Sequence, residues 1–249
     1  MKKRELLLGL LIVLMSWQVG AWLLDNQFLP GPFIVAQTFF SELMTGKLIG
    51  HFLVSLWRVL ASVLLAIMLA APAGLVLGQN ERIDRFFAPI IYVLYPIPKI
   101  VFLPILLLLL GIGDISKIFI IFLILFFQIL VLVRDSARTI EPKLLLSVRS
   151  LGAGRRALFR YVYIPASLPA ILTALRQSVG TAVAVLYIAE LFATQQGLGY
   201  YIYLSGNTLF NYPAMYAGVV AMSILGLGMY FGVDWLERRL VPWQHVSRK

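Results

Sequence analysis

The sequence predicts an all-α membrane protein: six transmembrane helices, a long cytoplasmic loop, and N- and C-termini both in the cytoplasm. Three observations predict it. The residues are 61% hydrophobic and 13% charged, where a soluble domain has about 45–50% and about 25%. Six apolar runs approach or exceed the ~20 residues that a helix needs to cross a bilayer. The basic residues are segregated into alternate loops, as the positive-inside rule requires.

The first run, 6–24, follows Lys2-Lys3-Arg4 and has a rival reading as a secretory leader, with Val19-Gly20-Ala21 as a small-residue cleavage site. The apolar run continues through Trp22-Leu23-Leu24, and its removal would leave five spans with the termini on opposite sides, so it is read as a span. The second, 53–77, carries Arg58 near its outer end. The third, 86–110, contains Pro89, Pro96, Pro98 and Pro104, with Lys99 beside the Pro-x-Pro pair. The fourth, 118–133, is the shortest. The fifth, 171–193, carries Glu190 in its outer half, and the sixth covers 214–236. No soluble domain or internal repeat interrupts them, so 1–249 is read as one transmembrane domain. Transporter pathways usually lie between two related halves, and a chain without a repeat suggests that two copies supply them.

Orientation follows from the charges. With both termini inside, seventeen of the 21 lysines and arginines fall on the cytoplasmic side, eight of them between Arg134 and Arg176. The outer loops hold only Lys47 and Lys117. The formal charge of +10 is therefore a topology signal and not a nucleic-acid footprint. Cysteine is absent and the two histidines, His51 and His245, are far apart in sequence, which gives no basis for a metal cluster.

The ionisable residues in the spans have two readings each. Prolines break helices, and irregular backbone at membrane depth is tolerated where it is buried in protein or lines a water-filled cavity. Pro96, Pro98 and Lys99 thus either line a pathway or kink a packing helix whose lysine reaches an interface. Arg58 and Glu190 either form ion pairs that hold helices together or touch solute. The aromatic residues of the outer loop 194–212 (Tyr200, Tyr201, Tyr203, Phe210 and Tyr212) are interfacial anchors, a gate or a partner contact.

The loop at about 134–170 is the most informative stretch. Its segment 143–165 reads KLLLSVRSLGAGRRALFRYVYIP. Leu144, Leu145, Val148 and Leu151 give one apolar helical face, which Gly152 and then Gly154 end. A second amphipathic piece follows, with Leu158, Tyr161 and Val162 on one side and Arg156 and Arg160 at i, i+4; Pro165 and Pro169 are expected to stop it. A basic helix-turn-helix of this kind either docks on a soluble partner or lies on anionic headgroups.

This loop resembles the signature of binding-protein-dependent ABC importer permeases: Glu-Ala-Ala, three residues, Gly, nine residues, then Ile-x-Leu-Pro. Gly152 stands at the glycine and Val162-Tyr163-Ile164-Pro165 at the end, while Leu146-Ser147-Val148 replaces Glu-Ala-Ala and its acidic contact. Further stretches are similar to the nitrate/sulfonate/taurine branch: 55–60 with Arg58, 96–104 with Lys99, Gly111-Ile112-Gly113, Ala189-Glu190-Leu191, Gly197-Leu198-Gly199-Tyr200 and 239–243. The resemblance implies a multi-pass subunit of the bacterial inner membrane that works as a homodimer. Its partners would be two cytoplasmic ATPases and an extracytoplasmic substrate-binding protein. It also implies that Ser147, Val148, Arg149, Leu151, Gly152, Ala153, Arg155, Arg156 and Pro165 form the coupling helix and its flanks, seated on the ATPase. No cofactor is expected on this chain; ATP and Mg belong to the partner. Consistently, no G-x-x-x-x-G-K-[ST] occurs, since Gly46-Lys47 is followed by Leu48. The spans carry no recognisable nucleophile–base set for an intramembrane enzyme. A gradient-driven carrier would have no use for the docking loop. Arg58 and Lys99 suit a small anion, and the branch also includes bicarbonate and vitamin-precursor importers.

Overall fold

The computed structural model of the chain describes residues 3–192 and 194–242, and all regular structure among them is helical. Lys2, Ala193, Trp243, His245, Arg248 and Lys249 lie outside the described residues. The chain divides into two compact units, one of residues up to 56 with 190–225, the other of 57–189 with the residues from 226 onward.

In the first unit, α1 (Lys3–Leu24) turns through a short loop into α2 (Pro32–Met44). The loop is fixed from α1: the Trp17 indole N–H donates to the Pro30 carbonyl (3.1 Å), and the Trp17 ring lies 5.8 Å from Tyr216. Helix α2 falls outside the six expected segments. Its thirteen residues are too few to span, and Pro32 opens it at a position where a missing N–H costs nothing. Helix α3 (Lys47–Gln79) starts in this unit, and α10 (Leu198–Tyr203) continues through a π turn (Leu204–Thr208) towards α11 (Tyr212–Leu240). Gly218 lets α11 close on α10, because a Cβ there would sit 2.7 Å from Ile202 Cγ1.

In the second unit, α3 packs on α6 (Asp114–Arg138) through a small-xxx-small pair. A Cβ on Gly74 would lie 2.8 Å from the Leu130 carbonyl oxygen, and one on Gly78 would lie 2.6 Å from that of Arg134. Helix α4 (Glu81–Leu94) begins at Asn80, whose side chain accepts the Arg82 and Ile83 N–H groups. Pro96 and Pro98 occupy the break that follows, a 3-10 turn runs over Lys99–Phe102, and α5 (Leu103–Leu110) leaves at 79° to α4. The prolines thus break this segment as expected, apart from Pro89, which α4 absorbs.

Beyond α6 come α7 (Pro142–Ser150), α8 (Arg155–Leu158), a π turn (Phe159–Tyr163) and α9 (Ile164–Leu191). Here one expectation fails: Pro165 and Pro169 do not stop the second amphipathic piece. Helical structure runs unbroken from Arg156 to Leu191. Pro165 is the second residue of α9, and the widened π turn before it relieves the clash between its ring and the preceding turn. Lys117, assigned from the sequence to an outer loop, lies within the first turn of α6 and is fully buried, its ammonium donating to the carbonyls of Ile112 and Gly113.

Among the described residues four helices, α3, α6, Arg156–Leu191 and α11, are long and apolar enough to cross a membrane, and the bent pair α4–α5 makes a fifth if it is one span. Helix α1 carries a shorter apolar run, Leu8–Leu24.

Candidate functional site

Helix α7 and the turn after it are largely exposed. Leu146 is 62% exposed and Leu151 86%, while Leu145 and Val148 are half-buried. Ser147 and Arg149 are exposed, and the Ser147 hydroxyl donates to the Lys143 carbonyl. Gly152 closes the helix with φ +83° and donates its N–H to the Arg149 carbonyl (2.9 Å). That left-handed conformation is the reason for glycine, as the open space around its Cα leaves room for a side chain. Ala153 is half-buried, Arg155 opens α8, and Arg156 is exposed. Leu158 and Val162 turn inward and anchor the loop, whereas Tyr161, expected on the same side, is exposed; Pro165 is half-buried. Large apolar side chains, Leu146 and Leu151, and the charged Arg149 and Arg156 are thus exposed together on this short segment.

The ionisable residues singled out in the spans, Arg58, Lys99 and Glu190, are held by other residues of the chain. Arg58, 3% exposed, donates through Nε (2.9 Å) and Nη2 (2.7 Å) to one carboxylate oxygen of Asp114, the first residue of α6. Asp114 lies outside the apolar run 118–133, so run length alone gives it no role. Lys99 bends back onto the frayed end of α4, donating to the carbonyls of Leu94 and Tyr95 (3.0 Å each), with its ammonium 4.6 Å from the centre of the Phe127 ring. It satisfies acceptors that the helix break leaves open.

Glu190 is completely buried and organises a turn. The Ser55 hydroxyl lies 2.9 and 2.8 Å from its two oxygens, and the Gly199 N–H donates to Oε2 (2.9 Å). The Leu198 N–H donates to Ser55 Oγ (2.7 Å), and the Gly197 N–H to His51 Nδ1 (3.1 Å). Gly197 has φ +113°, and a Cβ there would run into the Glu190 carboxylate. Two stretches far apart in the sequence, one around Ser55 and one from Glu190 to Gly199, thus form one hydrogen-bonded knot. Two further clusters were not foreseen. Asp84 of α4 is gripped by Arg134 and Arg138 of α6, and Arg176 of α9 pairs with Glu237 of α11. Among the described residues no group of three His, Cys, Asp or Glu side chains could hold a metal ion.

The chain's relatives are consistent in kind. A probable ABC transporter permease protein of Brucella abortus (strain 2308) is 33% identical over 95% of this chain and 96% of its own length. The taurine transport system permease protein TauC of Escherichia coli (strain K12) is 30% identical over 95% of this chain and 88% of its own length. Among solved structures, a chain of the MetNI methionine ABC transporter in an inward-facing conformation superposes with a TM-score of 0.71, covering 80% of this chain and 99% of that one at 22% identity, a likeness of fold. The pattern of the family described as binding-protein-dependent transport system inner membrane component covers residues 62–242. That span takes in the bent segment, the Gly152 loop and the last helix, and the chain belongs to this family as an ABC importer permease, a transport component of the inner membrane and not an enzyme.

Proposed function

We propose that two copies of this chain form the transmembrane pathway for a small sulfonate-type anion, coupled through the loop around Gly152 to separate cytoplasmic ATPases. In this reading 1–249 is one transmembrane domain that crosses six times with both termini inside. An extracytoplasmic binding protein delivers the solute, and ATP and Mg act on the partner subunits. The observation that carries the coupling is the exposed α7 segment: Leu146 and Leu151 uncovered near Arg149 and Arg156 in sequence, ended by a glycine in the left-handed region. Large apolar side chains left uncovered next to charge are what a partner-binding surface looks like. The lean towards a sulfonate rests on the similarity to a taurine permease.

The test is purification of the tagged chain from its host in mild detergent, followed by native mass measurement. Two copies with two ATPase subunits, and taurine-stimulated ATP hydrolysis once the binding protein is added, are the expected result. A chain that purifies intact without an ATPase, under conditions that preserve another ABC complex, would overturn the coupling and point to a gradient-driven carrier.

A further inference from the structure

The charged residues of the spans are engaged: Arg58 with Asp114, Lys99 with backbone carbonyls, Glu190 with Ser55 and Gly199, Arg134 with Asp84, Arg176 with Glu237. Moving any of them to meet a solute would leave a partner unpaired at membrane depth, at high cost. Uncharged polar side chains are free of that cost. A cleft of about 430 Å³ lies between α6 and α9, and its polar side chains are Ser136, Thr173 and Gln177. The remaining wall is small or apolar, with Leu132 on one side and Pro169 and Ala170 on the other.

These three side chains are unengaged within the chain, as is the Ser167 hydroxyl of α9, which is buried and does not line the cleft. Hydroxyl groups in apolar helices ordinarily turn back onto a carbonyl of the preceding turn. Ser62, Ser178 and Ser223 do so here, donating to Arg58, Ala174 and Val219. Ser136, Thr173 and Gln177 make no side-chain hydrogen bond among the described residues, and Thr173 and Gln177 are exposed in the cleft. The exposed face of α3 offers a contrast. It presents Leu53, Trp57, Leu64, Leu65 and Met68, side chains suited to lipid tails, where α9 presents a hydroxyl and an amide. The cleft also sits at the ends of α6 and α9 that are joined through the Gly152 loop.

We infer that this cleft is a solute-contact segment of the pathway, in which the Ser136 and Thr173 hydroxyls and the Gln177 amide donate to the oxygens of a passing oxyanion. The inference rests on the permease reading above and adds where, and with which groups, solute is met. Uncharged donors hold a sulfonate weakly, as passage requires: a site must admit the solute and also let it go. Next to the coupling loop, the cleft is also where movement of that loop is felt first.

The absence of cysteine makes the test direct, since Thr173→Cys or Gln177→Cys introduces a single thiol. The complex with its ATPase and binding protein is treated in lipid nanodiscs with 2-sulfonatoethyl methanethiosulfonate, a thiol reagent that itself carries a sulfonate. Both positions are expected to react, at rates that change with nucleotide state and fall at least roughly threefold when taurine is transported; Met68→Cys stays unreacted. Thr173→Val and Gln177→Leu should each lower taurine uptake by roughly two- to tenfold, the range for loss of one hydrogen bond, with complex assembly unchanged. Thiols that stay unmodified in every state, react without regard to taurine, or cross-link spontaneously between two copies would overturn the inference while the ATPase still co-purifies. Loss of the ATPase from the wild-type complex would instead sink the permease reading on which it rests.

Discussion

Gly197 and Gly152 both have positive φ, for different reasons. At Gly197 the backbone, with φ +113° and ψ 160°, lies in a region essentially closed to other residues, and the space where a Cβ would go holds the Glu190 carboxylate. Gly197→Ala should therefore cost about 2–3 kcal/mol and displace the Ser55–Glu190 pair, read as a lower thermal midpoint in detergent. At Gly152 the surroundings are open and only the turn is at stake. Gly152→Val should leave membrane insertion and thermal stability near wild type while lowering solute-stimulated ATP hydrolysis of the complex several-fold; unchanged coupled activity would remove Gly152 from the proposed coupling surface. Gly152 was legible in the sequence because it sits between two amphipathic pieces, where a chain reversal needs a permissive residue. Glu190 was legible as a buried ionisable group, but its partner Ser55, 135 positions away, was not. A single sequence carries no signal for which helices face each other.

At the scale of elements, apolar run length read well wherever a span is one continuous helix. The segment read as 118–133 is the core of α6, which extends at both ends because Asp114 and Arg138 are stabilised there by Arg58 and Asp84. Proline was less reliable as a guide. It broke the α4–α5 segment, where Pro96 and Pro98 stand together, and was absorbed at Pro72, Pro89, Pro165 and Pro169. Tertiary packing decides between these outcomes, so local propensity alone could not. Helix α2 escaped notice since thirteen residues satisfy no span criterion. The hold of α4 on α6 gives an element-scale prediction. Asp84 is 5% exposed and faces the part-buried Arg134 and the more exposed Arg138, so Asp84→Asn takes the counter-charge from both guanidinium groups, at a cost of about 2 kcal/mol. Paired with Arg134→Leu it should recover part of that loss in a double-mutant thermal series; purely additive effects would mean that the two residues act independently.

For the whole molecule, charge segregation is the main topological signal. It predicts that thiols placed after Arg4, in the loop at Ser147 and near Pro242 are all protected from an impermeant reagent in right-side-out vesicles, while one at Gly46 reacts. Reaction at Ser147 together with protection at Gly46 would invert the topology. Composition and the Gly152 pattern were enough to place the chain in its family, because both are properties of the sequence itself. The cleft at Thr173 and Gln177 was not legible. It exists only where α6 and α9 come together, and a lone hydroxyl in an apolar run looks the same whether it turns back on its helix or faces water.

The unbroken run from Arg156 to Leu191 has a mechanical consequence. At 36 residues it is about 54 Å long, and one end is rooted in the loop that carries Gly152. A push there meets no slack joint. Under the coupling proposed above, a displacement of that loop is carried along the helix as a tilt and is not lost at a break in it.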